Sequence, residues 1–226
     1  MRPIFLFLAF LAFASCREAA SPDTITETNP QPPADLLGAL AEKHGFNNWS
    51  RVNRIRFSFN VERGGALTTQ RSWIWEVREN RVTRIAEGDT LTYLRSEVDS
   101  ATAKADAGFI NDKYWLLAPY QWVWDRGSIT HTYQDTARAP ISGESMAKLT
   151  IAYGQEGGYT PGDAYDFYFG KDSVVREWVY RRGNQPEPSL ATTWEGYQEH
   201  GGLLISTVHQ NADGSFKLYF TGVAVD

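Results

Sequence analysis

The sequence predicts a mainly β fold, in which about 11 strands form a strongly curved antiparallel meander. Apolar and polar residues alternate with a period of two from Val52 onward, which is typical of strands with one buried face. Turn-forming pairs such as Gly201-Gly202 and Asp213-Gly214 recur between these segments. The chain also holds 8 Trp, 11 Tyr and 12 Phe, residues that favour strands and apolar interiors.

Residues 1–15 predict a secretory signal peptide, with one early charge at Arg2 and an apolar run over 4–14. The run is shorter than the roughly 20 apolar residues that a membrane-spanning helix needs. Cys16, which follows, is the only cysteine of the chain, so it cannot form an internal disulfide. Segment 13–16 resembles a bacterial lipobox, with Phe13 in place of the usual Leu, and this resemblance implies lipidation of Cys16. The alternative is a plain signal peptide followed by an incidental cysteine.

Residues 16–33 are expected to be a flexible tether behind the lipidated cysteine. This stretch is polar and rich in Pro and Thr, so it cannot bury enough apolar surface to fold. Each acyl methylene buried in a membrane would contribute about 0.8 kcal/mol of anchoring. The remaining residues, 34–226, are expected to fold as a single domain. The formal net charge of −5 argues against nucleic acid as a partner.

The first element predicted in this domain is an N-terminal helix over 34–44. Leu36, Leu37 and Leu40 share one face of it, and Gly45 follows as a stop. In the next segment, the apolar side chains from Ile55 to Val61 point to one side and the polar ones to the other. Further strands are predicted around Trp73 and Trp75 and at 82–86, 91–94, 128–134, 147–153, 164–170, 173–181, 190–198, 203–209 and 215–221.

A mid-chain insert interrupts the alternation between residues 96 and 124. It contains an Ala-rich stretch, 101–107, and a strongly apolar one, 109–120. We expect one or two helices that end by Ala118, because Pro119 disfavours helical backbone in the residue before it. An insert this apolar is expected to cover the concave face of the sheet.

Several short motifs accompany this order of elements. They are His44-Gly45 followed by Trp49, the pair Trp73 and Trp75, the run from Tyr114 to Tyr120, the stretch from Gly162 to Tyr165, and the late Trp178 and Trp194. Together with the helix, the meander and the insert, they resemble a group of Bacteroidetes envelope proteins with the LolA/LolB-like fold, over residues 34–223. The resemblance implies an incomplete β-barrel whose concave face is closed by helices and holds lipid acyl chains.

The same resemblance implies a concave apolar face lined by alternate strand residues and by the insert. The candidates for an apolar-ligand cavity are Phe57, Phe59, Trp73, Trp75, Tyr114, Trp115, Leu116, Leu117, Tyr165 and Phe167. Arg71 is the candidate for orienting a polar headgroup. The alternative is that these aromatic residues fill a closed core, as aromatic strand residues commonly do.

Neither a catalytic site nor a metal site is predicted. A hydrolase triad needs a nucleophile activated by a histidine, and none of the four histidines, His44, His131, His200 and His209, lies in such a motif. The segment 211–214 resembles a calcium-binding loop only faintly, because the distal Glu is missing. No cofactor is expected.

The sequence leaves two further possibilities open, glycoside hydrolysis and sugar binding. Glycoside hydrolysis needs two acids about 5–9 Å apart, and the sequence offers acids whose positions it does not fix. These are Asp163, Asp166, Glu177, Glu187, Glu195 and Glu199. Trp122 and Trp124 are candidates for stacking on the faces of sugars.

The expected function is therefore that of a lipid-anchored bacterial envelope protein, held on a membrane through Cys16. It would be non-enzymatic and would bind or carry a lipid or another apolar molecule in a half-barrel cavity. The expected location is the outer membrane, facing the periplasm or the cell surface, because residue 17 is not the Asp that retains some lipoproteins in the inner membrane. The alternative is a structural or interaction lipoprotein with a closed core, whose partner is an envelope protein or a glycan. A hydrolase acting on glycans or lipids is the third interpretation.

Overall fold

The computed structural model describes residues 34–156 and 159–226. The predicted signal peptide, Cys16 and tether lie outside the described residues. The first element is helix α1 (Leu36–Lys43), whose N-cap residue Asp35 accepts a hydrogen bond from the Gly38 amide at 2.9 Å. The predicted N-terminal helix is thus present. The helix ends at Lys43, and Gly45, two residues further, has φ +91° and lies so close to Gly202 that a Cβ atom would stand 2.2 Å from the Gly202 carbonyl oxygen.

Thirteen strands and one long helix follow α1 in the described part of the chain. The long helix is α2 (Ala103–Trp124), between the fourth and fifth strands. The strands are β1 (Arg54–Arg63), β2 (Ala66–Glu76), β3 (Arg81–Ala86), β4 (Asp89–Leu94), β5 (Ile129–Arg138), β6 (Ser145–Tyr153), β7 (Ala164–Phe169), β8 (Val175–Arg181), β9 (Leu190–Thr193), β10 (Gln198–His200), β11 (Leu203–Ile205), β12 (Val208–Gln210) and β13 (Phe216–Val225).

The strands form three antiparallel sheets that do not close into a barrel. The larger sheet has the order β12-β13-β1-β2-β3-β4, the second has the order β5-β6-β7-β8-β9, and β10 pairs with β11. The mainly β, open and curved architecture predicted from the sequence is confirmed. Consecutive strands pair within each sheet, but the chain passes from one sheet to another after β4, β9 and β11. The last strand, β13, then returns to pair with β1, with Phe59 opposite Phe220.

Two of the predicted strands are each broken in two, which raises the number of strands from about 11 to thirteen. The segment 190–198 is interrupted at Gly196, which has φ +61°. The segment 203–209 is interrupted where the Ser206 and Thr207 hydroxyls donate to the carbonyl oxygens of Glu195 and Gly196, at 2.8 and 2.7 Å. The side chains of these two residues thus replace regular strand pairing.

Helix α2 covers the concave face, as predicted, but it does not end by Ala118. It continues through Pro119 to Trp124, and the backbone of Leu117 (φ −128°, ψ 24°) takes up the kink. Pro119 is buried, and the Tyr120 hydroxyl donates to the carbonyl oxygen of His44, which fixes the second half of the helix against the end of α1. None of the helices in the described ranges is long and apolar enough to cross a membrane.

The core lies between α2 and the facing sides of the two larger sheets. Alternation in β1 gives one buried face, from Ile55 to Val61, and leaves Arg54 and Arg56 exposed. The neighbouring β2 buries Trp73 and Trp75 on the same side, as predicted. The second sheet is buried on both faces in the middle, since every residue of β7 is buried.

Candidate functional site

A cavity of about 880 Å³ lies along one side of α2, between the helix and the concave faces of the two larger sheets. Strands β1, β2 and β13 form one wall, and β6, β7 and β8 form the other. About half of the lining is polar or charged, and the apolar and aromatic part includes Phe59, Val61, Ile110, Tyr114, Trp115, Tyr153, Tyr165, Trp178, Leu190, Phe216 and Leu218.

The residues predicted for this cavity divide into two groups. Phe59, Tyr114, Trp115 and Tyr165 line it. The others lie in the tightly packed core, each 6% exposed or less, and do not border the cavity: Phe57, Trp73, Trp75, Leu116, Leu117 and Phe167.

A continuous layer of aromatic rings forms the wall on the second sheet. Strand pairing sets Tyr165 opposite Tyr180 and Phe167 opposite Trp178, so that their side chains emerge on one face. The Tyr165 ring stacks on Trp178, with centroids 5.4 Å apart, and Tyr114 from α2 approaches Tyr165 to 4.8 Å. Trp178 and Tyr180 also line the cavity but were not predicted to do so. The alternation along β8 places both side chains on one face of the strand and could have identified them.

Two tyrosine hydroxyls on the cavity wall are held by aspartates. Tyr153 donates to Asp125 at 2.8 Å, and Tyr159 donates to Asp106 at 2.7 Å. Burial, together with the charge of Asp125, raises the pKa of Tyr153 above its ordinary value. The Tyr153 hydroxyl therefore stays protonated and is a polar group of the cavity wall, while Tyr159 lies at an exposed position of the lining.

Arg71, the predicted headgroup residue, also lies on the cavity wall. Its guanidinium faces Asp112 of α2 in a two-pronged ion pair, with Nη2 2.7 Å from Oδ1. Asp112 also accepts hydrogen bonds from the Trp73 indole at 2.8 Å and from Asn111 at 3.0 Å. The hydrogen bond to Asp112 raises the pKa of Arg71, and the charge of Arg71 is compensated inside the protein.

Lys113 lies one residue further along α2 and is only 4% exposed. Its ammonium nitrogen is 5.3 Å from the ring centre of Trp75 and 5.1 Å from that of Trp124. Burial, with a smaller contribution from the nearby Arg95, lowers the pKa of Lys113 to about 8. No carboxylate within the described residues forms an ion pair with it.

The acids considered for glycoside hydrolysis do not converge on the cavity. Glu177 accepts the amides of Ile141 and Ser142, Asp163 accepts the Tyr180 hydroxyl, and Asp166 pairs with Arg181 at 3.1 Å. Glu195 accepts hydrogen bonds from Thr193 and Gln210, and Glu187 and Glu199 are exposed. Each of the four buried or half-buried acids thus already has a structural partner.

Two histidines are buried and neutral. His44 donates from Nδ1 to the Leu40 carbonyl at 2.9 Å and accepts the Val175 amide at Nε2, and burial lowers its pKa to about 4. His209 is enclosed by Trp194 and Trp115, and burial lowers its pKa to about 3. Both positions are structural.

The two tryptophans considered for sugar stacking are also inside the protein. Trp122 is fully buried against Phe167, with ring centroids 4.8 Å apart. Trp124 is half-buried and packs on Trp49 at 4.6 Å. Neither ring presents a free face to a sugar.

No family model and no curated protein sequence matches the chain. Among solved structures, it is similar to a DUF1329 family protein from Desulfovibrio piger, with a TM-score of 0.48, 12% identity, and coverage of 87% of this chain and 94% of that one. It is also similar to a LolA superfamily protein from Nitrosomonas europaea, with a TM-score of 0.47, 8% identity, and coverage of 84% and 93%. The Mycobacterium tuberculosis lipoprotein LppX follows, with a TM-score of 0.25, 9% identity, and coverage of 81% and 93%. The open half-barrel of this chain is established by its own strand pairing and not by these similarities.

Proposed function

We propose that this protein binds a lipid or another apolar molecule in the cavity along α2 and catalyses no reaction. The observation that carries the proposal is the cavity itself, about 880 Å³ of space in which a continuous layer of aromatic rings forms one wall. Pockets for small molecules commonly measure about 300–1,000 Å³ and combine apolar walls with a few polar groups. Binding would be driven by burial of apolar surface, at about 25 cal/mol per Å².

The proposal extends to the part of the chain before residue 34. We infer a signal peptide over 1–15, a lipid on Cys16 and a tether over 16–33, which place one LolA-like domain, 34–226, on the outer membrane of a Bacteroidetes-type envelope. The support is the lipobox-like segment and the apolar run before it. Such an anchor would hold the cavity near a supply of lipid.

A second candidate function is partner binding by an interaction lipoprotein, and one feature favours it. Strand β5 is ten residues long, lies at the edge of the second sheet and has no buried residue. A free strand edge of this length can pair with a strand from another envelope protein.

The test is native mass spectrometry of the full chain carrying Cys16→Ser, purified from an envelope fraction without detergent exchange. We expect a near-stoichiometric lipid or other apolar molecule that is released by organic extraction. In the variant Ala107→Trp, an indole enters the cavity from α2, and the bound mass should fall at least severalfold. Ala101→Trp, the same substitution at an exposed position before the helix, serves as the matched control and should retain the ligand.

Two results would reject lipid binding. One is a clean protein mass that stays unchanged after incubation with envelope lipids. The other is equal ligand retention by the two tryptophan variants, which would place the bound molecule outside the cavity. Co-purification of a stoichiometric protein that is lost when β5 is changed would favour the second candidate.

A further inference from the structure

We propose that the open end of the cavity holds the anionic headgroup of an amphiphile between Arg63 and Arg182, with the apolar tail lying inside. This inference rests on the proposed function and specifies its ligand class. The ligand is an apolar chain that ends in a phosphate or a carboxylate.

The two arginines come together because three turns meet at one end of the half-barrel. Arg63 ends β1 at the turn into β2, and Arg182 begins the turn after β8. A side pocket of about 380 Å³ is lined by both arginines and by Ser189, Asn211 and Ser215. The third turn, between β12 and β13, supplies the last two of these residues.

This side pocket is continuous with the apolar cavity. Tyr180, Leu190 and Phe216 line both spaces, as do the two arginines. A molecule with its tail between Phe59 and Trp178 would therefore place its head in the side pocket. Ser189, Asn211 and Ser215 provide hydroxyl and amide side chains at this end, which a polar headgroup needs.

The arginines of the cavity point to the same end. Of the other charged residues in its lining, Lys113 is buried against Trp75 and Trp124, Asp125 accepts the Tyr153 hydroxyl, and Glu156 is exposed. Four arginines line the cavity, and two of them are neutralised by buried aspartates: Arg71 by Asp112, and Arg95 by Asp106 at 2.8 Å. Within 34–156 and 159–226, neither Arg63 nor Arg182 forms an ion pair with a carboxylate. The nearby Asp213 carboxylate accepts the amide of Ser215 at 2.9 Å within its own turn. Of the four arginines, Arg63 and Arg182 are thus the two that have no carboxylate in ion-pair contact in the described part of the chain, and Arg182 interacts instead with the Tyr180 hydroxyl.

Arg63 is held against an aromatic ring of the cavity wall. Its guanidinium carbon lies 5.0 Å from the ring centre of Phe216, which is itself a wall of the cavity. Arg182 is positioned by its backbone, since its amide donates to the Ser189 hydroxyl at 3.0 Å. Guanidinium groups placed in this way can donate several hydrogen bonds to the oxygens of one phosphate or carboxylate.

The experiment compares amphiphiles that share one tail. The full chain carrying Cys16→Ser is titrated with oleate, mono-oleoyl phosphate and the neutral mono-oleoyl glycerol below their aggregation concentrations, with tryptophan fluorescence as the signal. The double variant Arg63→Gln/Arg182→Gln is compared with Arg51→Gln/Arg78→Gln. The second pair removes the same charge at two exposed arginines outside the cavity.

We expect the parent chain to bind the two anionic amphiphiles at least about tenfold more tightly than the neutral one, as charge-assisted hydrogen bonds imply. The Arg63/Arg182 variant should lose this preference and bind mono-oleoyl glycerol as before. The Arg51/Arg78 variant should keep the preference, and inorganic phosphate at millimolar concentration should not displace the anionic amphiphiles.

The other outcomes separate the two proposals. Equal affinity for all three amphiphiles in the parent chain would overturn the headgroup assignment and leave apolar binding intact. A preference that survives in the Arg63/Arg182 variant would also overturn it. Displacement by inorganic phosphate would show a free-anion site instead of a headgroup site, and binding of none of the three would reject both proposals.

Discussion

The two sides of helix α2 contact similar aromatic strands, yet one side is closely packed and the other borders a cavity. On the packed side, Phe109 lies 5.5 Å from Trp73 and Tyr120 lies 5.9 Å from Trp49, with all four rings buried or half-buried. On the cavity side, the helix presents a mixture of small, polar and aromatic residues, from Ala107 and Asn111 to Tyr114 and Trp115. An abundance of aromatic residues therefore does not decide whether a half-barrel is filled, because aromatic rings line both the packed side and the cavity side.

The comparison is tested most strongly by truncating adjacent residues on the two sides of the helix. Phe109→Ala should lower the free energy of unfolding by about 3–5 kcal/mol, because a fully buried ring is lost from close packing. Ile110→Ala should cost only about 1 kcal/mol, because Ile110 is half-buried and already borders empty space. Urea denaturation of both variants at pH 7 measures the difference. Equal costs would mean that the cavity side is packed as closely as the other.

A second, slightly smaller effect is expected at the ion pair that ties β2 to α2 at the edge of the cavity. Asp112→Ala should lower the free energy of unfolding by about 3 kcal/mol, because it leaves Arg71 and the Trp73 indole without their acceptor. Arg56→Ala, which removes an exposed pair with Asp226, should cost less than about 1 kcal/mol. The measurement is again the urea midpoint.

A double-mutant cycle isolates the contribution of the pair. Arg71→Ala combined with Asp112→Ala should be less destabilising than the sum of the two single variants, because neither charge is then left alone. Additive losses would show that the two side chains are energetically independent.

The smallest expected effect is a difference in the pH dependence of stability between a buried and an exposed lysine of α2. Burial lowers the pKa of Lys113 to about 8 from 10.5, so above pH 8 the unfolded chain binds more protons at this site than the folded one. The stability of the parent chain should therefore rise with pH relative to Lys113→Met, by about 2 kcal/mol between pH 7 and pH 9.5. Lys104→Met, at an exposed position of the same helix, provides the control and should show no such trend. A pH-independent difference between Lys113→Met and the parent chain would contradict a lowered pKa.

The local parts of the fold were predictable from the sequence, and the long-range parts were not. Alternation identified β1 and the buried Trp73 and Trp75, because a period of two is a property of the strand itself. The pairing of β13 with β1 has no local signature. The rule that ends a helix before proline failed at Pro119, because buried contacts on both sides of the kink outweigh the lost backbone hydrogen bond.

The candidate site shows the same limit at the level of single residues. Phe57 and Phe59 follow the same alternation, but only Phe59 borders the cavity, because alternation gives the face of a strand and not the depth. Arg71 could be predicted as a site residue from its place in a strand. Its ion-pair partner Asp112 could not, because Asp112 lies 41 residues further along the chain. The two arginines at the open end of the cavity, Arg63 and Arg182, appear in the sequence only as residues that precede glycine turns.

The pairing of the first strand with the last has a consequence for how the chain is made. Strand β1 needs β13 on one side, and Arg63 is opposite Phe216 in that pairing. Because the N-terminus is synthesised first, the larger sheet cannot be completed until residues 216–225 have been synthesised. Contacts this distant in sequence also slow folding. Hairpins such as β1-β2 and β3-β4 can pair as they emerge, so the addition of β13 to β1 is the last long-range step in forming the larger sheet.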